Sequence, residues 1–228
     1  GKTAMDSVLW LLEHGLDPDR IRWIRPRDAW MVDRAGRQFG AYGIGATMTA
    51  LAAETECVAE ASDLEDLFDR LEAIGALMRI DGGVRPTTYR CATLSRAELA
   101  ELRRVENVVR LGRVIRIEEG RILLEHGTLP TGPDHVHVDC TAPGLTDRPP
   151  RPVFADGHIT LQMVRSCQPS FSGAIIARIE SLPGGAGEKN AMAAPVPPPN
   201  EAADWARMFI LNAANQHRWK QHPDLAPW

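Results

Sequence analysis

Met5, Val8, Leu9 and Leu12 recur at helical spacing, which predicts a helix opening at Gly1. Gly15 supplies its stop, and Asp17-Pro18-Asp19 is turn chemistry. Ile21, Trp23 and Ile24 then predict a short apolar strand that ends at Arg25, with Arg27 just beyond. Residues 28–45 are rich in glycine and aromatics without a period, which predicts a loop; Trp30 and Tyr42 in it are the aromatics expected nearest a cofactor. An Ala-rich helix is expected over 47–61. Ser62-Asp63-Leu64-Glu65 has the form of a capping box and opens a helix to about residue 77, with Leu64, Leu67, Phe68, Leu71 and Ile74 on one face. Gly82-Gly83 and Pro86 mark turns, and a second box, Ser95-Arg96-Ala97-Glu98, opens a short helix to about residue 105.

The pattern then becomes strand-like. Residues 108–117, 121–125 and 135–140 are expected strands; Glu119-Gly120 turns the first into the second, and Thr131-Gly132-Pro133 leads into the third. The proline-rich residues 147–152 suggest a domain boundary. A further strand-like run covers 158–162, and a helix is expected over 169–181 with Ile175, Ile176 and Ile179 inside. Residues 182–199 read as a Gly/Pro/Ala-rich loop. Asn200 can cap a final helix to about residue 216, with Trp205, Phe209 and Ile210 apolar.

Composition narrows the classes. The chain has 228 residues, 44% hydrophobic and 25% charged, with a net charge of −4 and no basic block, so no nucleic-acid surface is indicated. No apolar run approaches the ~18–20 residues of a membrane helix, and no signal-peptide pattern opens the chain. The four cysteines are widely spaced without a C-x-x-C, which predicts reduced thiols and a cytoplasmic protein. His135 and His137 share one face of a strand, but a third ligand at recognisable spacing is missing, so no metal is expected. Glu54, Glu60, Asp63, Glu65, Asp66 and Asp69 read as a solvated helix face, and no acid/base pair or Ser-His-Asp order stands out; catalytic residues stay unassigned.

The chemistry-bearing stretch is the start. Gly1 and Ala4 fit the second and third small residues of G-x-G-x-x-G/A, where glycine lets backbone approach a pyrophosphate and a small residue lets helix and strand pack closely. The first glycine and its strand would lie before residue 1. Lys2 and Thr3 would then offer backbone N–H groups to the phosphates at the helix start. An acidic residue about 20 positions on would suit NAD. Arg25 and Arg27 stand there instead, which suits the 2′-phosphate of NADP. Gly1-Lys2-Thr3 is equally the tail of a P-loop, whose lysine and hydroxyl serve phosphates and magnesium.

Taken in order, the βαβ start, the arginines, the acidic-Gly hairpin and the run Asp139-Cys140-Thr141-Ala142-Pro143-Gly144 resemble the flavoproteins with two dinucleotide-binding domains, the group of flavin monooxygenases and pyridine-nucleotide reductases. Residues 139–144 look like a variant of that family's (A)TG motif, with Ala-Pro between Thr141 and Gly144. Residues 157–181 are similar to its closing FAD segment, which would bring Leu161, Gln162, Ser170 and Ser172 towards the flavin. The resemblance spans most of residues 1–181. It implies an α/β protein: a Rossmann-like NAD(P)-binding domain over 1–145 that lacks its first strand and carries a helical insertion at about 46–105, then the C-terminal portion of an FAD-binding domain over 146–228. It further implies NADP and FAD as cofactors, hydride transfer from NADPH to FAD, a small-molecule substrate, and a C-terminal fragment whose partner is the missing N-terminal FAD-binding part. The fragment alone is expected to be inactive and to associate with itself, as a homodimer for instance. The alternatives are a stand-alone nucleotide-sensing module and a P-loop NTPase fragment.

Overall fold

The first helix, α1, runs Lys2–Glu13 and turns Met5, Val8 and Leu12 into the core. The computed structural model describes residues 1–38, 40, 43–141 and 148–227. Gly15, at φ 83°, takes the left-handed backbone that a Cβ would strain, and its N–H closes onto the Leu12 carbonyl. Asp17 accepts from the Asp19 N–H at 3.0 Å and sets a 3-10 turn over Pro18–Arg20. The strand β1, Trp23–Ile24, follows and pairs in parallel with Val108–Val109.

Residues 28–45 are not the loop their composition predicts. Ala29–Asp33 forms β2, in which Trp30, Met31 and Val32 are all buried. A strand covered on both faces shows no period of two, so alternation could not reveal it. Gly43 leads into α2, Ile44–Glu60. The helix α3, Leu64–Ala73, is capped one residue later than expected: Asp63 accepts from the Asp66 N–H, and the Asp66 carboxylate takes the Ser62 N–H. β3, Leu77–Met78, pairs antiparallel with β2, and β4, Thr88–Leu94, pairs parallel with it. Trp30 packs on Phe68 at 5.2 Å, so it is core rather than a cofactor platform; Tyr42 lies outside the described residues. The helix α4, Arg96–Leu102, does begin on the Ser95–Glu98 capping box.

β5 is the two-residue strand Val108–Val109, and an antiparallel meander follows: β6, Val114–Ile117; β7, Arg121–Leu124; β8, Gly127–Pro130. The third strand of the meander is thus β8, whereas residues 135–140 form no strand. Their alternation is real, but a strand needs a hydrogen-bonding neighbour, and none of the described residues supplies one. His137 Nε2 instead meets Thr131 Oγ1 at 2.9 Å, and Val136 is 89% exposed. His135 and His137 belong to no metal-ligand cluster among the described residues.

The chain divides into two compact units, Gly1–Ala142 and Pro143–Trp228. The second contains a hairpin of β9, Phe154–Ala155, and β10, His158–Ile159, then α5, Pro169–Glu180. The expected loop over 182–199 contains α6, Ala186–Met192, and α7, Asp204–Gln221, closes the unit. Val153, Val164, Ile175, Ile176, Ile179 and Trp219 are core. Buried Asn215 donates to the Val164 and Ala194 carbonyls at 2.7 Å each, and Asn190 pairs both backbone groups of Phe154. These amides satisfy backbone that no ladder reaches. The whole is mixed α/β, with small sheets and seven helices among the described residues. No helix among them is long and apolar enough to cross a membrane. Cys57 and Cys140 are free thiols, as expected of all four cysteines; Cys91 and Cys167 are not.

Candidate functional site

The first turn of α1 is open. No side chain among the described residues caps it. A Cβ placed on Gly1 would meet nothing within 4 Å. Thr3 is exposed, and Ala4 packs against the core. Lys2 forms an ion pair with Asp6 one turn along the helix, so its ammonium is engaged.

Arg25 ends β1 and is only 6% exposed. Its Nη2 pairs with Asp28 Oδ1 at 2.9 Å, and its guanidinium carbon lies 5.0 Å from the Trp23 ring centroid. Nε and Nη1 are buried without a hydrogen-bond partner among the described residues. An unmet buried donor costs about 1–3 kcal/mol, and such groups are rare enough in folded proteins that each needs a cause. Asp28 also receives Arg110 Nε at 2.9 Å, and Arg110 Nη2 reaches Asp81 at 2.7 Å. One buried carboxylate is thus shared by two arginines drawn from different segments. The Asp28 carbonyl in turn accepts from Thr88 Oγ1 at 2.9 Å, which fixes the strand end against β4.

The surroundings are strongly cationic. Burial lowers the pKa of Arg25, and Asp28 pulls it back up. Burial likewise lowers Arg90, and Arg27 and Arg113 lower it further. The start of α1 lies nearby: Met5 of α1 and Trp23, on which the Arg25 guanidinium rests, belong to one core cluster. A helix start without a side-chain cap, packed in one core with a strand that leads into an arginine, is suited to holding a phosphate.

Of the expected site residues, Arg25 is linked to α1 through Trp23, which shares a core cluster with Met5, and the charge of Arg27 is felt by Arg90. Thr141 is exposed; its N–H and hydroxyl both donate to Asp139. Ala142 and Gly144 lie outside the described residues. In the second unit Leu161 and Ser170 are exposed, whereas Gln162 is bound to both backbone groups of Arg151. Ser172 is buried; its Oγ accepts from the Val164 and Arg165 N–H groups, both at 3.2 Å, and donates to the Arg165 carbonyl. Its role in the structure is to tie α5 to the preceding turn. Sequence reasoning missed Asp28, Asp81, Arg90 and Arg110. Asp28 had a local signal, three positions after Arg25; the others carried none.

No family model matches the chain, and no solved structure matches it. It is 45% identical over all 228 residues to uncharacterized proteins of Mycobacterium bovis and of two strains of Mycobacterium tuberculosis. The chain spans 42% of the length of these curated relatives.

Proposed function

We propose that residues 1–228 are part of a flavin-dependent oxidoreductase that uses NADPH, with a Rossmann-like domain formed around α1, β1 and β5. When bound, the two groups would supply hydride transfer from NADPH to FAD and, with oxygen or another acceptor taking up the electrons, reoxidation of the flavin. The observation that carries the reading is Arg25, whose two buried donors lack a partner among the described residues, resting on Trp23 in the core cluster shared with α1, whose start no side chain caps. On this reading the α1 N–H groups hold the pyrophosphate, and Gly1 leaves room for it. Arg25 and Arg27 receive the 2′-phosphate, and Arg90 adds positive charge from β4. The enclosed donors of Arg25 meet a phosphate when its side chain turns outward from Trp23. Asp28 keeps Arg110 through that change, so no bare carboxylate is left behind.

Support for the flavin end is thinner. Leu161 and Ser170 are open to a ligand, whereas Gln162 and Ser172 are occupied by their own backbone. The P-loop alternative loses support because Lys2 is paired with Asp6. The test is the full-length protein. It should purify yellow or take up FAD, and its visible flavin absorbance should bleach when NADPH is added without oxygen. A protein that neither holds FAD nor bleaches overturns the reading.

A further inference from the structure

Arg25 is held inward against its own chemistry. A guanidinium at a strand end has the reach to keep its head in water. This one is 6% exposed, with Nε and Nη1 enclosed and unmet among the described residues. Two contacts keep it there: the face of Trp23, 5.0 Å from the guanidinium carbon, and Asp28 Oδ1, 2.9 Å from Nη2. The second is a hydrogen bond between opposite charges and is the stronger of the two.

Asp28 cannot follow Arg25 outward. Its carbonyl accepts from the Thr88 N–H at 3.3 Å and from Thr88 Oγ1 at 2.9 Å. Its Oδ2 takes Arg110 Nε at 2.9 Å. Arg110 is moored in turn to Asp81, which also accepts from the Gly83 N–H at 2.9 Å. The carboxylate is thus fixed, and Arg25 is the member that can leave. Asp28 is also divided: Arg110 Nη2 stands 3.5 Å from Oδ1, the oxygen that Arg25 uses. A carboxylate shared between two guanidiniums holds each less firmly than it would hold one. When Arg25 departs, Asp28 keeps Arg110; without Arg110, Arg25 would have the whole carboxylate.

We infer that Asp28 sets the selectivity between phosphorylated and unphosphorylated coenzyme, by clasping Arg25 until a phosphate dianion displaces it. The inference rests on the reading of Arg25 as the residue that receives the 2′-phosphate. A ribose 2′-hydroxyl is neutral and does not draw a guanidinium from a carboxylate, so NAD leaves the clasp closed. A phosphate monoester carries about two negative charges at pH 7 and accepts several N–H groups at once, including the Nε and Nη1 that the clasp leaves unmet. Arg110 has the opposite part. It draws on the same carboxylate, which loosens the clasp, and it keeps Asp28 neutralised once Arg25 has left. The apparent affinity for the phosphorylated coenzyme is the intrinsic affinity multiplied by the fraction of molecules in which Arg25 is released.

Titration calorimetry of the full-length protein with oxidised NADP and NAD, which bind without reducing a flavin, tests the clasp through two variants of opposite sign. Asp28→Asn keeps an acceptor for Arg110 and the backbone bonds to Thr88 but releases Arg25. NADP is expected to bind it roughly tenfold more tightly, the gain for a site clasped in about nine molecules of ten. Arg110→Met leaves Arg25 the whole carboxylate, and NADP should bind roughly tenfold more weakly. NAD should change by less than about threefold in both variants. A general loosening of the fold would instead move both variants and both nucleotides in one direction. NADP binding that is unchanged or weaker in Asp28→Asn overturns the inference, and so does binding that is unchanged or tighter in Arg110→Met. Should a urea melt show Asp28→Asn unfolded, the sign in Arg110→Met decides. Arg25→Met separates the two levels of the argument. Equal losses of NADP and NAD there overturn the phosphate reading itself; a selective loss of NADP, with no gain in Asp28→Asn, overturns the clasp alone.

Discussion

Arg25→Met separates what Arg25 does for the fold from what it does for a ligand. Methionine keeps an unbranched apolar stem over Trp23 and removes the charge. Taking one partner from a buried ion pair usually costs about 3–5 kcal/mol, because the other charge is left bare. Here Asp28 retains Arg110 Nε at 2.9 Å, and the substitution also deletes two buried donors that have no acceptor. Each unmet donor costs about 1–3 kcal/mol. The two effects oppose each other, so the change in stability should stay within about 1.5 kcal/mol. Affinity should respond differently. A hydrogen bond to a charged group contributes about 1.5–3 kcal/mol, so NADPH should bind roughly 10- to 150-fold more weakly. NADH has no 2′-phosphate and should change by less than about threefold. Titration calorimetry with both nucleotides on the full-length protein, beside a urea melt, reads all three quantities. Equal losses for NADPH and NADH refute the phosphate role. A stability loss of about 3–5 kcal/mol refutes the argument that Arg110 compensates.

Three further outcomes follow from single contacts. Ser172→Ala removes the hydroxyl that serves two N–H groups and one carbonyl, and should cost about 1–3 kcal/mol in a urea melt while leaving the flavin spectrum unchanged. A shifted spectrum would put Ser172 against the cofactor. Trp30→Ala empties the centre of the β2 sheet and should cost about 3–5 kcal/mol without altering nucleotide affinity; a selective loss of affinity would restore Trp30 to the site. Burial alone would raise the Glu98 pKa, but the Ser95 hydrogen bonds and Arg34 outweigh it and hold the group below its ordinary value. A depressed folded pKa stabilises above the unfolded value of about 4.3 and is lost as pH falls through the folded value. Stability should therefore fall below about pH 4, and Glu98→Gln should flatten that fall; an unchanged acid slope would show that Glu98 contributes nothing.

Most helices were legible because they bury one stripe; α6, which buries no residue, was not. Met5, Val8 and Leu12 mark α1 at helical intervals, and the Ser95–Glu98 box marks the start of α4 by local chemistry alone. Of the strands of the first unit, β1, β6 and β7 were legible as apolar runs bounded by turn residues, whereas β2, β3, β4 and β8 were not. β3 is two residues long, too short to show a period, and β2 is buried on both faces. Residues 135–140 gave the converse error. Their pattern is that of a strand, but pairing is a property of neighbours, and the described chain has none to offer. The same distinction divides the candidate site. Arg25 was visible because a strand end is a position in sequence. Its partners Asp28 and Arg110, and Asp81 beyond them, lie in segments brought together only by folding.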